Sequence, residues 1–373
     1  MSLGTRLLRL LPPPAPPSAA EQPEELARTR ARDASAPPPR ATMLFATAAP
    51  PVLPLPGSGG LPLERALLLD VETTGLSRGA GTLVFLIACG RVRAGGGIEV
   101  RLGLMREPAE EPDLLAWLRE ELAAVDGIVT YNGRSFDVPL LRTRFALRRQ
   151  SDPFAGRAHH DLLPLCRRVF GRPAKLVELE ARVLGMERAG DPSGAEVARR
   201  YLRYLHSGDG RPLGAVLRHA ARDVAALGRL AIHLGSPALR PAERAELAHA
   251  ALAAGEPARA DACARDALRA RPGRAVAVRA LHAMAEVARR GGDHAGASRA
   301  HESILAIDPA DRAARRAVAI HYEHRTRDLA AALHHAHALG DARRAARLTH
   351  KLAIRSNGST VAGPDGGASG TEP

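Results

Sequence analysis

An apolar run of this chain ends in two carboxylates, and that pattern restricts the possible fold more than any other feature of the sequence. The run Leu67–Leu69 is followed by Asp70, Val71 and Glu72 and then by Thr73–Leu76. In an extended strand, residues i and i+2 point to the same side, so Asp70 and Glu72 would stand together at the end of the strand. Two like charges about 4 Å apart repel by about 4 kcal/mol at an effective dielectric of roughly 20. The pattern therefore predicts a site for a hard divalent cation such as Mg²⁺ or Mn²⁺.

Two later segments supply further carboxylates. Asp137 ends the polar segment after the apolar run Gly127–Tyr131, a pattern that predicts a strand leading into a loop and a helix. His219 and Asp223 lie four residues apart in a predicted helix that begins near Pro212, so they share one helix face. That face borders the apolar stripe of the helix, and Asp223 therefore needs a partner for its charge.

Together these motifs resemble the DEDD exonucleases of the DnaQ-like, ribonuclease-H-fold superfamily. Within that superfamily the chain looks like the YprB-like predicted exonucleases, which carry C-terminal tetratricopeptide-like repeats, and the resemblance covers about residues 61–235. It implies that Asp70 and Glu72 form the first motif, that Asp137 is the second acid and that Asp223 is the last. All four would be catalytic residues and metal ligands.

The resemblance also implies a role for His219, which stands where these enzymes place the residue that orients or deprotonates the attacking water. The spacing H-x-x-x-D up to Asp223 is that of the tyrosine class, whereas histidine belongs to the class with one more intervening residue. His219 is therefore either a residue that orients or deprotonates the attacking water, or a histidine that only fills space.

The chemistry implied by the resemblance is phosphodiester hydrolysis with two divalent ions, Mg²⁺ or Mn²⁺. One ion would lower the pKa of the attacking water and the other would stabilise the leaving alkoxide, releasing a mononucleotide from a 3′ end. Asp70 would bridge both ions, Glu72 and Asp223 would hold the ion on the nucleophile side, and Asp137 would hold the other. The same motifs supply the residues expected to contact the substrate: Thr73, Thr74, Gly75, Leu76, Asn132 and Arg134.

Composition is compatible with a nucleic-acid partner. The formal net charge is +13 over 373 residues, which suits a polyanion. The alternative is a compositional bias, because the chain has only two lysines beside many arginines and alanines. The three cysteines form no C-x-x-C pair, which argues against a zinc site and fits a reducing cytoplasm. No apolar run reaches the roughly 18 residues of a membrane span.

The sequence predicts four segments. Residues 1–60 form a Pro/Ala/Arg-rich arm, and residues 61–235 an α/β ribonuclease-H-like domain with a mixed five-stranded sheet and flanking helices. Residues 237–353 form an all-α tetratricopeptide-like domain, because similar segments recur at Gly255, Gly292 and Arg327, close to a 34-residue repeat. Residues 354–373 form a disordered tail.

The expected function is therefore a metal-dependent 3′ to 5′ exonuclease acting on DNA or RNA, joined to a helical-repeat domain with a surface for another chain. Two alternatives remain. One is a catalytically silent nucleic-acid-binding protein that keeps the fold, and the other is a scaffold that binds a protein partner through its repeats.

Overall fold

The computed structural model describes residues 40–47, 50, 52–75, 81–93 and 96–359. The chain divides into two units, Met1–Leu239 and Arg240–Pro373. Leu76, most of the predicted N-terminal arm and residues 360–373 of the predicted tail lie outside the described residues.

The first unit is built on a mixed sheet of six strands. Its strands are β1 (Arg40–Phe45), β2 (Ala66–Thr73), β3 (Val84–Val92), β4 (Ile98–Leu104), β5 (Gly127–Thr130) and β6 (Ala158–Asp161). Their spatial order is β1-β4-β3-β2-β5-β6. The pairs β1–β4, β4–β3 and β3–β2 are antiparallel, whereas β2, β5 and β6 are parallel. The carboxyl ends of β2, β5 and β6 therefore meet at one edge of the sheet.

The prediction of five strands is wrong because β1 comes from the segment assigned to the arm. β1 pairs with β4 along its whole length. Ala41 is buried in β1, and Leu53 and Leu55 are buried farther along the same segment. Leu44 breaks the polar–apolar alternation that would predict a strand, because it is apolar and yet 52% exposed in this edge strand. Prolines on both sides of β1 gave the segment the composition of a linker, although its apolar residues belong to the core.

Within the described residues, the first unit has six helices around the sheet. They are α1 (Glu111–Ala123), α2 (Asp137–Leu147), α3 (Leu162–Phe170), α4 (Leu176–Leu179), α5 (Gly194–Ser207) and α6 (Leu213–His233). Residues Glu180–Leu184 extend α4 by a π-helical turn. The predicted helix near Pro212 is confirmed as α6, which packs on β2, β3 and β4.

Close packing of α6 against the sheet depends on a glycine. A Cβ atom added at Gly228 would lie 2.6 Å from a methyl carbon of Leu68 in β2 and 2.7 Å from one of Ile98 in β4. Side-chain atoms do not approach so closely, so any larger residue at position 228 would push the helix outward. The same helix carries His219 and Asp223, and this packing therefore sets their height above β2.

The second unit is entirely helical within the residues that the structure describes. Its helices are α7 (Pro241–Ala253), α8 (Pro257–Arg269), α9 (Arg274–Arg290), α10 (His294–Ile307), α11 (Arg312–His321), α12 (Leu329–Leu339) and α13 (Ala342–Ser359). Each packs on its neighbour in the chain. Alanines fill much of the space between them, as at Ala248, Ala264 and Ala280.

The recurring segments of this unit occupy equivalent places. Gly255, Gly292 and Arg327 all have positive φ angles, of 78°, 79° and 58°. Each lies two residues before the start of a helix, namely α8, α10 and α12. A helical C-terminal region is thus established, and its tetratricopeptide-like character stays a prediction.

The C-terminal boundary of this region differs from the predicted one. The tail was predicted to be disordered from residue 354, but α13 continues to Ser359. Adding residues to a helix that has already formed costs less than starting a new one, because the nucleation step has already been completed. Across the described part of the chain, no helix has the length and apolarity needed to cross a membrane.

Candidate functional site

Asp70 and Glu72 project from the same side of β2 near its carboxyl end, as the alternation of a strand predicts. The pKa of Asp70 is raised well above its usual range by burial and then by the charges of Asp223, Glu72 and Asp137. Burial also raises the pKa of Glu72, to about 7, and Asp223 and Asp137 add to that shift while His219 opposes it. The predicted acids therefore lie close enough together to repel one another.

Asp137 is the first residue of α2 and reaches this edge of the sheet directly after the loop that follows β5. It is buried, and its pKa is raised to about 7 by burial and by the charge of Asp161. Asp161 accepts hydrogen bonds from the backbone N–H groups of Asn132 (2.8 Å) and Arg134 (3.0 Å), and also caps α3. The carboxylate at the end of β6 thus fixes the loop that delivers Asp137.

The tight turn before Asp137 requires a glycine. A Cβ atom at Gly133 would lie 2.8 Å from the Oδ2 atom of Asp137 and 2.5 Å from the Cβ atom of Thr130. The loop therefore passes directly over the carboxylate that it presents. Asn132, just before it, has a φ angle of 66°, in the left-handed region that asparagine tolerates better than most residues.

His219 and Asp223 extend from α6 toward the same acids. The Nε2 atom of His219 lies 3.5 Å from Oε1 of Glu72 and 3.6 Å from Oδ2 of Asp223. The i, i+4 spacing puts both residues on one helix face, as predicted. His219 is 16% exposed and Asp223 is 20% exposed, so both remain reachable from solvent.

The partner that Asp223 was expected to need is Arg188, which sequence reasoning missed. Arg188 is 3% exposed and donates hydrogen bonds to Asp223, to Glu180 and, over 3.0 Å, to Oδ2 of Asp191. Its Nη2 atom is buried and forms no hydrogen bond with the described residues. Arg188 lies 35 residues before Asp223 in an irregular connection, where no local pattern marks it.

Asp191 was missed for the same reason. Its Oδ2 atom accepts from Arg188 and also lies 2.9 Å from Nδ1 of His219. Burial acts to raise the pKa of Asp191, but the hydrogen bonds from His219 and Arg188 outweigh burial and lower it. Asp191 is therefore held as an anion beside the histidine.

The residues predicted to contact substrate mainly shape the loops around the acids. Thr73 donates from Oγ1 to the carbonyl of Gly75 over 2.7 Å. Thr74 donates from its backbone N–H to the carbonyl of Leu83, and its Oγ1 atom accepts from the N–H of Leu83, both over 3.0 Å. Arg134 donates from its guanidinium to the carbonyl of His159. Leu76 lies outside the described residues.

The donor chemistry of the site fits a divalent cation. Among the described residues, no group of three or more His, Cys, Asp or Glu side chains is already arranged to hold a metal ion. The fit rests instead on the hard oxygen donors of Asp70, Glu72, Asp137 and Asp223. Burial raises the pKa values of Asp70, Glu72 and Asp137, and the charges of the other acids raise those of Asp70 and Glu72 further. A hard cation would relieve that repulsion.

A family model and a curated relative match the part of the chain that carries this site. Residues 67–235 match the family model RNase_H_2 of the RNase_H superfamily. The chain is 33% identical over 182 residues to "Uncharacterized protein YprB" of Bacillus subtilis (strain 168); the match covers 47% of this chain and 43% of that protein. It is also similar to the family B DNA polymerase of Pyrobaculum calidifontis, at 19% identity and a TM-score of 0.35, over 52% of this chain and 29% of the polymerase.

Proposed function

Because residues 67–235 form a domain of the RNase H superfamily, we propose that this protein is a metal-dependent 3′ to 5′ exonuclease that hydrolyses nucleic-acid phosphodiesters. The observation that carries the proposal is the meeting of four carboxylates from three separate elements at one edge of the sheet: Asp70, Glu72, Asp137 and Asp223. A structural role does not account for the grouping, since burying like charges side by side destabilises a fold.

The four acids would hold two Mg²⁺ or Mn²⁺ ions. Bound there, the ions would neutralise the charge of the phosphate oxygens, lower the pKa of the attacking water and stabilise the leaving alkoxide. Asp137 presents its carboxylate directly after a loop tied to Asp161, whereas Asp70 and Glu72 come from a strand within the sheet. Such rigid supports would keep these three ligands in place as substrate enters.

His219 would orient the attacking water or take its proton. Its Nε2 atom faces Glu72 and Asp223 at 3.5 and 3.6 Å, on the side where the acids converge. A positioned histidine base contributes about 10²- to 10⁴-fold to such reactions. The site is partly open to solvent at His219 and Asp223, which would admit the end of a strand.

The helical unit would serve a separate interaction. We propose that it is a tetratricopeptide-like module for a protein partner, because its left-handed residues recur at the same point before α8, α10 and α12.

The cysteines, Cys89, Cys166 and Cys263, are all free, which would suit a reducing cytoplasm.

The proposal is tested with the full chain and DNA or RNA oligonucleotides labelled at the 5′ end. With Mn²⁺ or Mg²⁺ we expect a ladder that shortens one nucleotide at a time from the 3′ end. Asp70→Asn should abolish it, whereas Asp113→Asn, at an exposed position of α1, should not. Binding of either oligonucleotide without cleavage under all metal conditions would instead identify a catalytically silent binder, and products cut internally would exclude an exonuclease.

A further inference from the structure

The two ring nitrogens of His219 face different surroundings. Nδ1 lies 2.9 Å from a carboxylate oxygen of Asp191, a hydrogen-bond distance. Nε2 points the other way, at 3.5 Å from Glu72 and 3.6 Å from Asp223, both too long for strong hydrogen bonds. A neutral imidazole carries a proton on only one nitrogen, and the nitrogen beside the carboxylate must be the donor.

Asp191 is itself held in place from behind. The oxygen that faces His219 also accepts from Nη1 of Arg188 at 3.0 Å. The side chain of Arg188 is 3% exposed; its Nε atom donates to Glu180, and the same Nη1 atom also donates to Asp223. Arg188 and His219 both donate to this oxygen, so the two hydrogen bonds hold it beside the ring.

We propose that Asp191 is a positioning residue, which holds His219 with its proton on Nδ1 and the free electron pair of Nε2 turned toward the four acids. This inference rests on the proposed nuclease function and deepens it. Asp191 touches neither substrate nor metal ligands in this role, and acts only through the ring of His219.

The orientation matters for the hydrolytic step. As the water oxygen forms its bond to phosphorus, the bond from phosphorus to the 3′ oxygen of the preceding nucleotide breaks. Nε2 of His219 takes the proton that the water loses, and the leaving 3′ oxygen takes a proton from solvent. A ring that carried its proton on Nε2 could not accept one there.

Nitrogen-15 NMR of histidine in the full chain tests the tautomer without any need for activity. The signals of His219 are those that disappear in His219→Ala. In the neutral ring we expect the proton on Nδ1 in the wild type. Asp191→Asn should preserve that state, because an amide oxygen can accept from both Arg188 and His219, whereas Asp191→Ala should shift the proton toward Nε2. A wild-type ring protonated on Nε2, or no change in Asp191→Ala, would overturn the proposal.

A double-mutant cycle tests whether Asp191 acts through His219. Asp191→Ala should lower kcat by about tenfold to a hundredfold, the usual loss for a residue that orients another, with KM little changed. Added to His219→Ala, the same substitution should cost almost nothing more. If Asp191→Ala lowered kcat as much in the His219→Ala background as in the wild type, Asp191 would act by supporting Arg188 and Asp223, and the proposal would be wrong.

The second unit offers a matched control. Oδ2 of Asp311 lies 2.9 Å from Nε2 of His282, so Asp311→Ala removes an aspartate–histidine contact of equal length. It also removes the N-cap of α11, so this control loses stability, as Asp191→Ala is expected to do. It should leave the His219 signals and kcat unchanged. Absence of cleavage in the wild type would refute the nuclease proposal, and the NMR result would still decide the role of Asp191.

Discussion

At the residue scale, local periodicity predicted where the acids lie but not what holds them. The two-residue period of β2 put Asp70 and Glu72 on one side, and the four-residue spacing in α6 put His219 beside Asp223. Arg188 and Asp191 reach the site through contacts with residues 35 and 28 positions away. Both lie in a connection without regular secondary structure, so no helical or strand periodicity in the sequence could have predicted them.

The first prediction separates Asp223 from His219. In the proposed site Asp223 is a charged metal ligand, so in Asp223→Asn metal affinity should fall and turnover should drop by orders of magnitude. His219→Ala should leave metal affinity largely unchanged while lowering the rate by roughly 10²- to 10⁴-fold. Part of that loss should return at higher pH, where hydroxide replaces the assisted water. Calorimetric Mn²⁺ titration beside initial rates makes the comparison, and equal loss of metal affinity in both variants would make His219 a ligand.

The second prediction concerns Gly133. In Gly133→Ala the new methyl group would start 2.8 Å from a carboxylate oxygen of Asp137, so the acid must move and activity should fall at least tenfold while the fold persists. Gly194→Ala is the control, because no atom lies within 4 Å of its added Cβ. The cleavage rates and circular dichroism spectra of both variants test this prediction. Full activity in Gly133→Ala would show that catalysis does not depend on the position of the Asp137 carboxylate.

At the element scale, the strand that carries Asp70 and Glu72, the strand Gly127–Thr130 and α6 followed from hydrophobic patterning, whereas β1 did not. An edge strand has one neighbour and needs only alternate buried residues, so a short stretch among prolines gives a weak signal. Leu53 and Leu55 show that the segment after β1 also packs into the core. Tertiary contacts, not local composition, decide the structure there.

The third prediction tests that packing. Leu55→Ala should lower the free energy of unfolding of the first unit by about 2 to 5 kcal/mol, since it empties a buried position. Val52→Ala, at a position 44% exposed, should change it by less than about 0.5 kcal/mol. Trp117 is the only tryptophan and is buried in the first unit, so its fluorescence in urea reports this unit. Equal midpoints for both variants would show that Leu55 does not pack.

At the scale of the whole molecule, the acid cluster links the stability of the first unit to pH. The pKa values of Glu72 and Asp137 are raised to about 7, whereas in the unfolded chain both groups titrate near 4. Between these values the folded state holds more protons than the unfolded state. The contribution of these groups is therefore complete at low pH and is lost as the pH rises toward 7.

The fourth prediction follows from that sign. Without metal, the melting temperature of the first unit should decline more steeply from pH 5 to pH 7 in the wild type than in Glu72→Gln, which cannot ionise at this position. Millimolar Mg²⁺ or Mn²⁺ should raise the melting temperature more at pH 7 than at pH 5, because the ion competes with protons for the same oxygens. Identical pH profiles with and without metal would contradict a metal site at these carboxylates.

The central claim is that these carboxylates hold metal ions against the scissile phosphate, and replacing the bridging 3′ oxygen of the last phosphodiester by sulfur tests it most directly. Sulfur is a poor ligand for Mg²⁺ and a better one for softer ions such as Mn²⁺. We predict that the sulfur substrate is cleaved much more slowly than the oxygen substrate in Mg²⁺, and that Mn²⁺ restores most of the rate. Equal cleavage of both substrates in Mg²⁺, or the same sulfur penalty in both metals, would contradict a metal ion on the leaving oxygen.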